Sequence, residues 1–203
     1  VIGSLDRPGD DKLHVASTSH FMSTSLEEYD GFDHKVTMSK GFGGDADTGA
    51  KQLEISGLYA SADFFNVFSF DLIEGNRQTA LVEPNSIVLT MEVVEKLYGL
   101  ENPIGKILKL DDEEYLVTGI MKDVPSNSHI QFEVLGSYAS LVNENRSNTD
   151  FDSPTNMWTT YLYLTIQDDI AYQSVTKTLS QIVETANKKN PNAIIAATLQ
   201  PLD

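Results

Sequence analysis

The chain has 203 residues, 40% of them hydrophobic, with 14 basic and 30 acidic side chains and a formal net charge of −16. That balance excludes a nucleic-acid binder, whose partner's phosphates demand a Lys/Arg surface, and it argues against adhesion to an anionic membrane face. The absence of Cys excludes disulfides, thiolate metal sites and a cysteine nucleophile.

Taken in chain order, residues 1–12 are polar and rich in Gly, Pro and Asp, and read as a loose lead-in. A short strand is expected over 14–17. A short helix is expected over 21–29, with Leu26 and Tyr29 on its apolar face. Residues 36–42 read as a strand and the glycine-rich stretch 41–49 as a loop. Leu53, Ile55 and Leu58 mark a strand over 51–59. The aromatic-dense residues 62–68 read as a helical turn. Residues 86–90 form a short buried strand, and Thr90 is placed to N-cap a helix over 91–98, with Glu92 near its positive end and Gly99 closing it.

Residues 107–110 and 115–121 read as a hairpin whose turn is the acidic run Asp111-Asp112-Glu113-Glu114. A strand follows over 131–135, then a helical stretch over 135–141 and a long loop over 143–157. The last third is the clearest. A strand over 161–166 precedes a helix over about 170–187, whose Val175, Leu179, Ile182, Val183 and Ala186 form one apolar stripe. Asn190-Pro191-Asn192 breaks that helix, and a strand over 193–199 completes a β-α-β unit. The stripe is expected to cover a sheet that contains both flanking strands. Short strands mixed with few helices indicate an α+β fold. No apolar run approaches the roughly 20 residues that cross a bilayer. The opening Val1-Ile2-Gly3 carries neither Met nor a signal-peptide pattern, so the chain is expected to be an excised piece with membrane helices on both sides in its parent.

No catalytic, cofactor-binding or metal residue can be nominated. Gly99 to Lys106 imitates a phosphate loop but puts five residues between its glycines, and Ile107 stands where Ser or Thr would hold magnesium. Asp45-Ala46-Asp47-Thr48-Gly49 resembles the start of a calcium loop, but Ala50 and Ser56 occupy the positions that need Gly and Glu. His14, His20, His34 and His129 have no paired metal-ligand spacing. No G-x-S-x-G elbow occurs, and Asn145-Arg146-Ser147 fits a glycosylation pattern at chance frequency. Phe64, Phe65, Phe68 and Phe70 are either core or a binding patch.

Four segments carry a resemblance. Tyr59 to Phe70, continuing through Leu72 to Asn76, is the first. Ala80 to Thr90 with the following helix and Tyr98-Gly99 is the second. Asn102-Pro103-Ile104-Gly105-Lys106 is the third, and Tyr115 to Ile120 running into Lys122 to His129 is the fourth. In order and spacing they resemble the periplasmic core domain of MacB/FtsX-type ABC-transporter permeases. Residues 59–135 carry the likeness, the C-terminal third matches more loosely, and residues 1–58 match by position. Each motif also shapes the chain, since Gly75, Gly99, Pro103, Gly105 and Pro125 sit at turns or strand ends.

The resemblance implies two subdomains: a β-α-β porter-like one from residues 1–58 and 155–203, and a sabre-like mixed insertion over 59–154. It implies an extracytoplasmic part of an inner-membrane protein that couples cytoplasmic ATP hydrolysis to substrate export or extraction without being an enzyme itself. The implied partners are a second permease copy, a cytoplasmic ATP-binding subunit, and a periplasmic adaptor or a lipoprotein, peptide or drug substrate. The rival readings are an extracytoplasmic sensor or ligand-binding module without transport, and a secreted hydrolase with a deep polar pocket.

Overall fold

The computed structural model describes residues 1–6, 13–189 and 193–202. In chain order the elements are β1 (Ile2–Asp6), β2 (Leu13–Val15), α1 (His20–Ser25), β3 (His34–Asp47), β4 (Gln52–Ala60), α2 (Phe64–Val67), β5 (Leu72–Gly75) and β6 (Ser86–Thr90). They continue with α3 (Met91–Tyr98), β7 (Ile107–Leu110), β8 (Glu113–Met121), β9 (Val134–Ser137), α4 (Tyr138–Glu144), β10 (Thr160–Thr165), α5 (Asp169–Lys189) and β11 (Ile194–Thr198). The architecture is α+β.

The chain divides into two compact units, one made of Val1–Thr37 with Arg146–Asp203 and the other of Met38–Asn145. These units part at 37/38 and 145/146, whereas the sequence expectation put the boundaries at 58/59 and 154/155. The reason is the β3–β4 hairpin, which pairs antiparallel from Met38↔Ala60 to Asp47↔Gln52. A boundary after residue 58 would cut through its rungs.

In the first unit, β1 is the central strand of a three-stranded sheet ordered β11-β1-β2. It runs antiparallel to β11 from Ile2↔Thr198 to Asp6↔Ile194. The lead-in expected over 1–12 is therefore a strand over its first residues, with Gly3, Ser4 and Leu5 buried; the rest of that stretch, 7–12, lies outside the described residues. β10 is bonded beside the start of β3, where the Asp33 N–H donates to Thr165 O at 2.9 Å and the His34 N–H to Thr165 Oγ1 at 2.9 Å.

Helix α5 follows the expected pattern. Asp168 Oδ1 accepts from the Ala171 N–H at 2.8 Å, Asp169 sits in the first turn and Lys188 and Lys189 in the last, all complementing the helix dipole. Val175, Leu179 and Ile182 pack with Met22, Leu26 and Leu162, and with Leu164, Ala197 and Leu199 at the margin. Ala186 joins Leu5, Met157, Ala193 and Ile195. The stripe covers both flanking strands as expected, but β10 and β11 belong to different sheets, so the β-α-β order is not a crossover within one sheet. β11 pairs with β1 instead. The expected break at 190–192 lies outside the described residues. Helix α1 stops at Ser25, leaving Leu26 buried and Tyr29 39% exposed, so Tyr29 is not on the packed face.

In the second unit the strand path closes on itself. β3 pairs β4, β4 pairs β9, β9 pairs β6, β6 pairs β8, β8 pairs β7, and β7 returns to β3. The ring is filled by Phe42, Ile55, Ile87, Leu108, Val117 and Val134, among others. β5 pairs with the far end of β8. The loop expected over 41–49 is instead strand through Asp47, bulged between Lys40 and Phe42. Gly43 and Gly44 hold φ of 138° and 144°, so the chain stays paired through backbone angles that a side chain would resist. At Gly43 a Cβ would run into the Ile55 carbonyl oxygen. The β7–β8 turn is tighter than expected, with Leu110 opposite Glu113 and only Asp111-Asp112 between them. The strand expected at 131–135 begins at Val134.

Candidate functional site

The polar residues singled out by sequence do not converge. Asp45 and Asp47 lie along β3 rather than in a calcium loop. The Asp45 N–H donates to Asp111 Oδ1 at 2.9 Å, while Asp47 accepts from the Gly49 N–H at 2.6 Å and from Gln52 Nε2 at 3.0 Å. The Gln52 bond, then the Gly49 one, hold the Asp47 carboxyl below its usual range. Among the described residues no three His, Cys, Asp or Glu side chains gather in a way that would hold a metal.

Thr90 stands at the N-cap of α3, but its side chain makes no capping bond. Asp123 does that work, its Oδ1 accepting from the Glu92 N–H at 2.8 Å. Gly99 ends the helix at φ 65°. In the turn that follows, Asn102 Oδ1 accepts from the Ile104 N–H at 2.9 Å, and Lys106 Nζ lies 2.6 Å from Glu101 Oε2. These are the bonds of a turn, not of a phosphate cradle.

The phenylalanines form one packed cluster. Phe64 stacks on Phe70 at 5.5 Å between centroids and meets Phe65, Phe68 and Phe132 at 5.2, 5.1 and 5.8 Å. Phe64 and Phe65 are fully enclosed, and Phe68 and Phe70 are half-buried. Of the two readings left open for this cluster, core packing is the observed one. Arg77 closes it, with its guanidinium 5.7 Å from the centre of the Phe65 ring and donating to the Phe65 carbonyl at 2.5 Å.

Two polar groupings were not legible in sequence. In the second unit, Tyr59 of β4 and Tyr115 of β8 are buried against Phe42, with ring centres 4.7 and 5.3 Å from it. The Tyr59 hydroxyl donates to Glu144 Oε2 at 3.2 Å, at the end of α4. Burial, followed by the Glu144 charge, raises both phenols, Tyr115 to about 12. Burial likewise raises the Glu144 carboxyl. Both phenols thus stay protonated donors, which suits a structural tie between the last helical turn and the strand ring.

In the first unit, His20 is 7% exposed, stacks on Phe151 at 4.4 Å and holds Nε2 3.5 Å from Asp152 Oδ1. Ser19 caps the helix it opens. These partners are more than a hundred positions apart, so no spacing rule could pair them.

The chain passes from one unit to the other at Thr37/Met38 and again at Asn145/Arg146. The first crossing lies within β3 and the second directly after the α4 turn that Tyr59 ties down.

Sequence comparison matches residues 14–182 to the family described as MacB-like periplasmic core domain. No curated protein matches the chain. Among solved structures, a domain of a protein described as a permease from Porphyromonas gingivalis superposes with a TM-score of 0.81 at 18% identity, covering 100% of this chain and 89% of that one. The periplasmic region of MacB from Actinobacillus actinomycetemcomitans gives 0.60 at 14% identity, over 96% of this chain and 87% of that one. The extracellular domain of the noncanonic ABC-type transporter YknZ from Gram-positive bacteria gives 0.61 at 15% identity, over 98% and 100%. At these identities the likeness is one of fold.

Proposed function

The chain belongs to the family of MacB-like periplasmic core domains, and from that membership we propose that it is the extracytoplasmic element of an ABC-transporter permease, transmitting movement driven by ATP hydrolysis elsewhere to a substrate outside the cytoplasm. The observation that carries the reading is the span of the family match, 14–182, which runs through both units and both crossings. Two compact bodies joined by two chain segments are what a hinge or shear motion requires. The chain takes no part in the chemistry, which belongs to a cytoplasmic ATP-binding partner. A second permease copy completes the assembly. The parent sits in the inner membrane, and the substrate is of the lipoprotein, peptide or drug class.

The test uses two labels. The chain has no Cys, so Gln173→Cys in the first unit and Glu95→Cys in the second, both exposed, accept spin labels site-specifically in a full-length parent cleared of other cysteines. The distance distribution between the labels is expected to change when the partner subunit binds ATP, and to return on hydrolysis. An unchanged distribution in a transport-active parent overturns the mechanical reading and favours a sensor or binding module.

A further inference from the structure

The turn after α3 leaves one apolar side chain conspicuously unburied. Gly99 closes the helix at φ 65°, and Leu100, the next residue, is 107% exposed. A lone exposed leucine is ordinary. This one borders a groove of about 470 Å³ whose floor includes Met91 and Val94 of α3 and Ile120 of β8. The groove carries Glu74, Glu95 and Glu101 among its lining, with no Lys or Arg. Lys106 neutralises Glu101 from outside, 2.6 Å away. Glu74 accepts from Asn102 Nδ2 at 2.7 Å, a neutral donor that leaves its charge in place. An apolar floor, a projecting leucine and an acidic rim therefore lie together.

We propose that this groove docks a segment of another polypeptide in which an apolar side chain is flanked by Lys or Arg. The apolar residue would pack against Leu100 and the half-buried Met91, above Val94 and Ile120, which the fold already buries, and the flanking cations would meet Glu74 and Glu95. Charge decides among the occupants. A second copy of this chain, at a net charge of −16, would bring carboxylates against carboxylates, and an anionic lipid surface would meet the same repulsion. A basic, apolar-centred segment is the occupant whose charge and polarity complement both rim and floor.

The chain is titrated with an amidated peptide of leucine and lysine, and separately with its counterpart in which glutamate replaces lysine, while amide shifts are followed by NMR. The lysine peptide is expected to shift Val94, Leu100 and Ile120, and the glutamate peptide to bind far more weakly. Leu100→Asp is expected to weaken the lysine peptide about tenfold or more, the loss typical of an anchor residue. Leu100 is fully exposed, so this variant folds as the parent does. Glu74→Gln with Glu95→Gln is expected to weaken binding and flatten its salt dependence. Shifts scattered over the acidic surface and unchanged by Leu100→Asp overturn the proposal, as does equal binding of both peptides or no binding of the lysine one. This experiment reads docking by the chain itself and the label experiment reads motion in the parent, so each can fail while the other stands.

Discussion

His20 shows how one buried side chain ties stability to pH. Enclosure between α1 and Phe151 lowers its pKa from 6.5, desolvation outweighing the attraction of Asp152 and Glu27, while Lys35 pushes in the same direction as burial. A group whose folded pKa is depressed binds its proton more readily in the unfolded chain. Its contribution is therefore present above about pH 6.5 and is lost as the pH falls toward the folded pKa. His20→Gln, which cannot charge, is expected to show a shallower fall in unfolding free energy between about pH 7 and pH 5 than the parent chain. Urea denaturation at several pH values measures it, and an identical slope for the two proteins would show that His20 does not report its burial in this way.

At the scale of the element, α5 gives the strongest packing expectation. Leu179 is 1% exposed within the cluster that joins α5 to α1, β10 and β11. Leu179→Ala is expected to cost about 2–5 kcal/mol by losing buried methylenes and leaving a cavity. Chemical denaturation measures the loss, and a value under about 0.5 kcal/mol would be that of a surface substitution. The stripe was legible because a helical repeat is local: five residues within twelve positions define it. α3 and the β7–β8 hairpin were legible for the same reason.

What stayed hidden depended on distant partners. Ile2–Asp6 carries no strand signal of its own and becomes one because β11, at the other end of the chain, supplies its hydrogen bonds. Gly41 to Asp47 reads as a loop because glycines usually mark turns, yet at the β3–β4 pairing they let the backbone stay paired where a side chain would clash. The Tyr59–Tyr115–Glu144 grouping joins three residues with no common spacing, and nothing local to β10 or β11 tells that they join different sheets. Local period therefore located the elements, while sheet partners and buried polar contacts came from the closed chain.

For the whole molecule, charge sets association. At a net charge of −16, two copies in solution repel, and in the proposed assembly membrane anchoring would supply the high effective concentration that solution does not. The 203-residue chain is expected to run as a monomer of 22.4 kDa in light scattering at low micromolar concentration. A tight dimer there would mean that pairing is encoded in this domain itself.

The closed ring has a thin seam. β7 meets β3 through two residue pairs, Ala46↔Leu110 and Asp47↔Lys109, reinforced where the Asp111 N–H donates to Asp45 O at 3.0 Å. β3 and β4, by contrast, share a ladder running from Met38 to Asp47. A cylinder breathes where its wall is least stitched, so transient opening should part β7 from β3 and turn the barrel into a sheet with two raw edges. Backbone amides along that seam are then expected to trade hydrogen for deuterium sooner than those of Val88 and Leu89 in β6, which is clasped on both sides by β8 and β9.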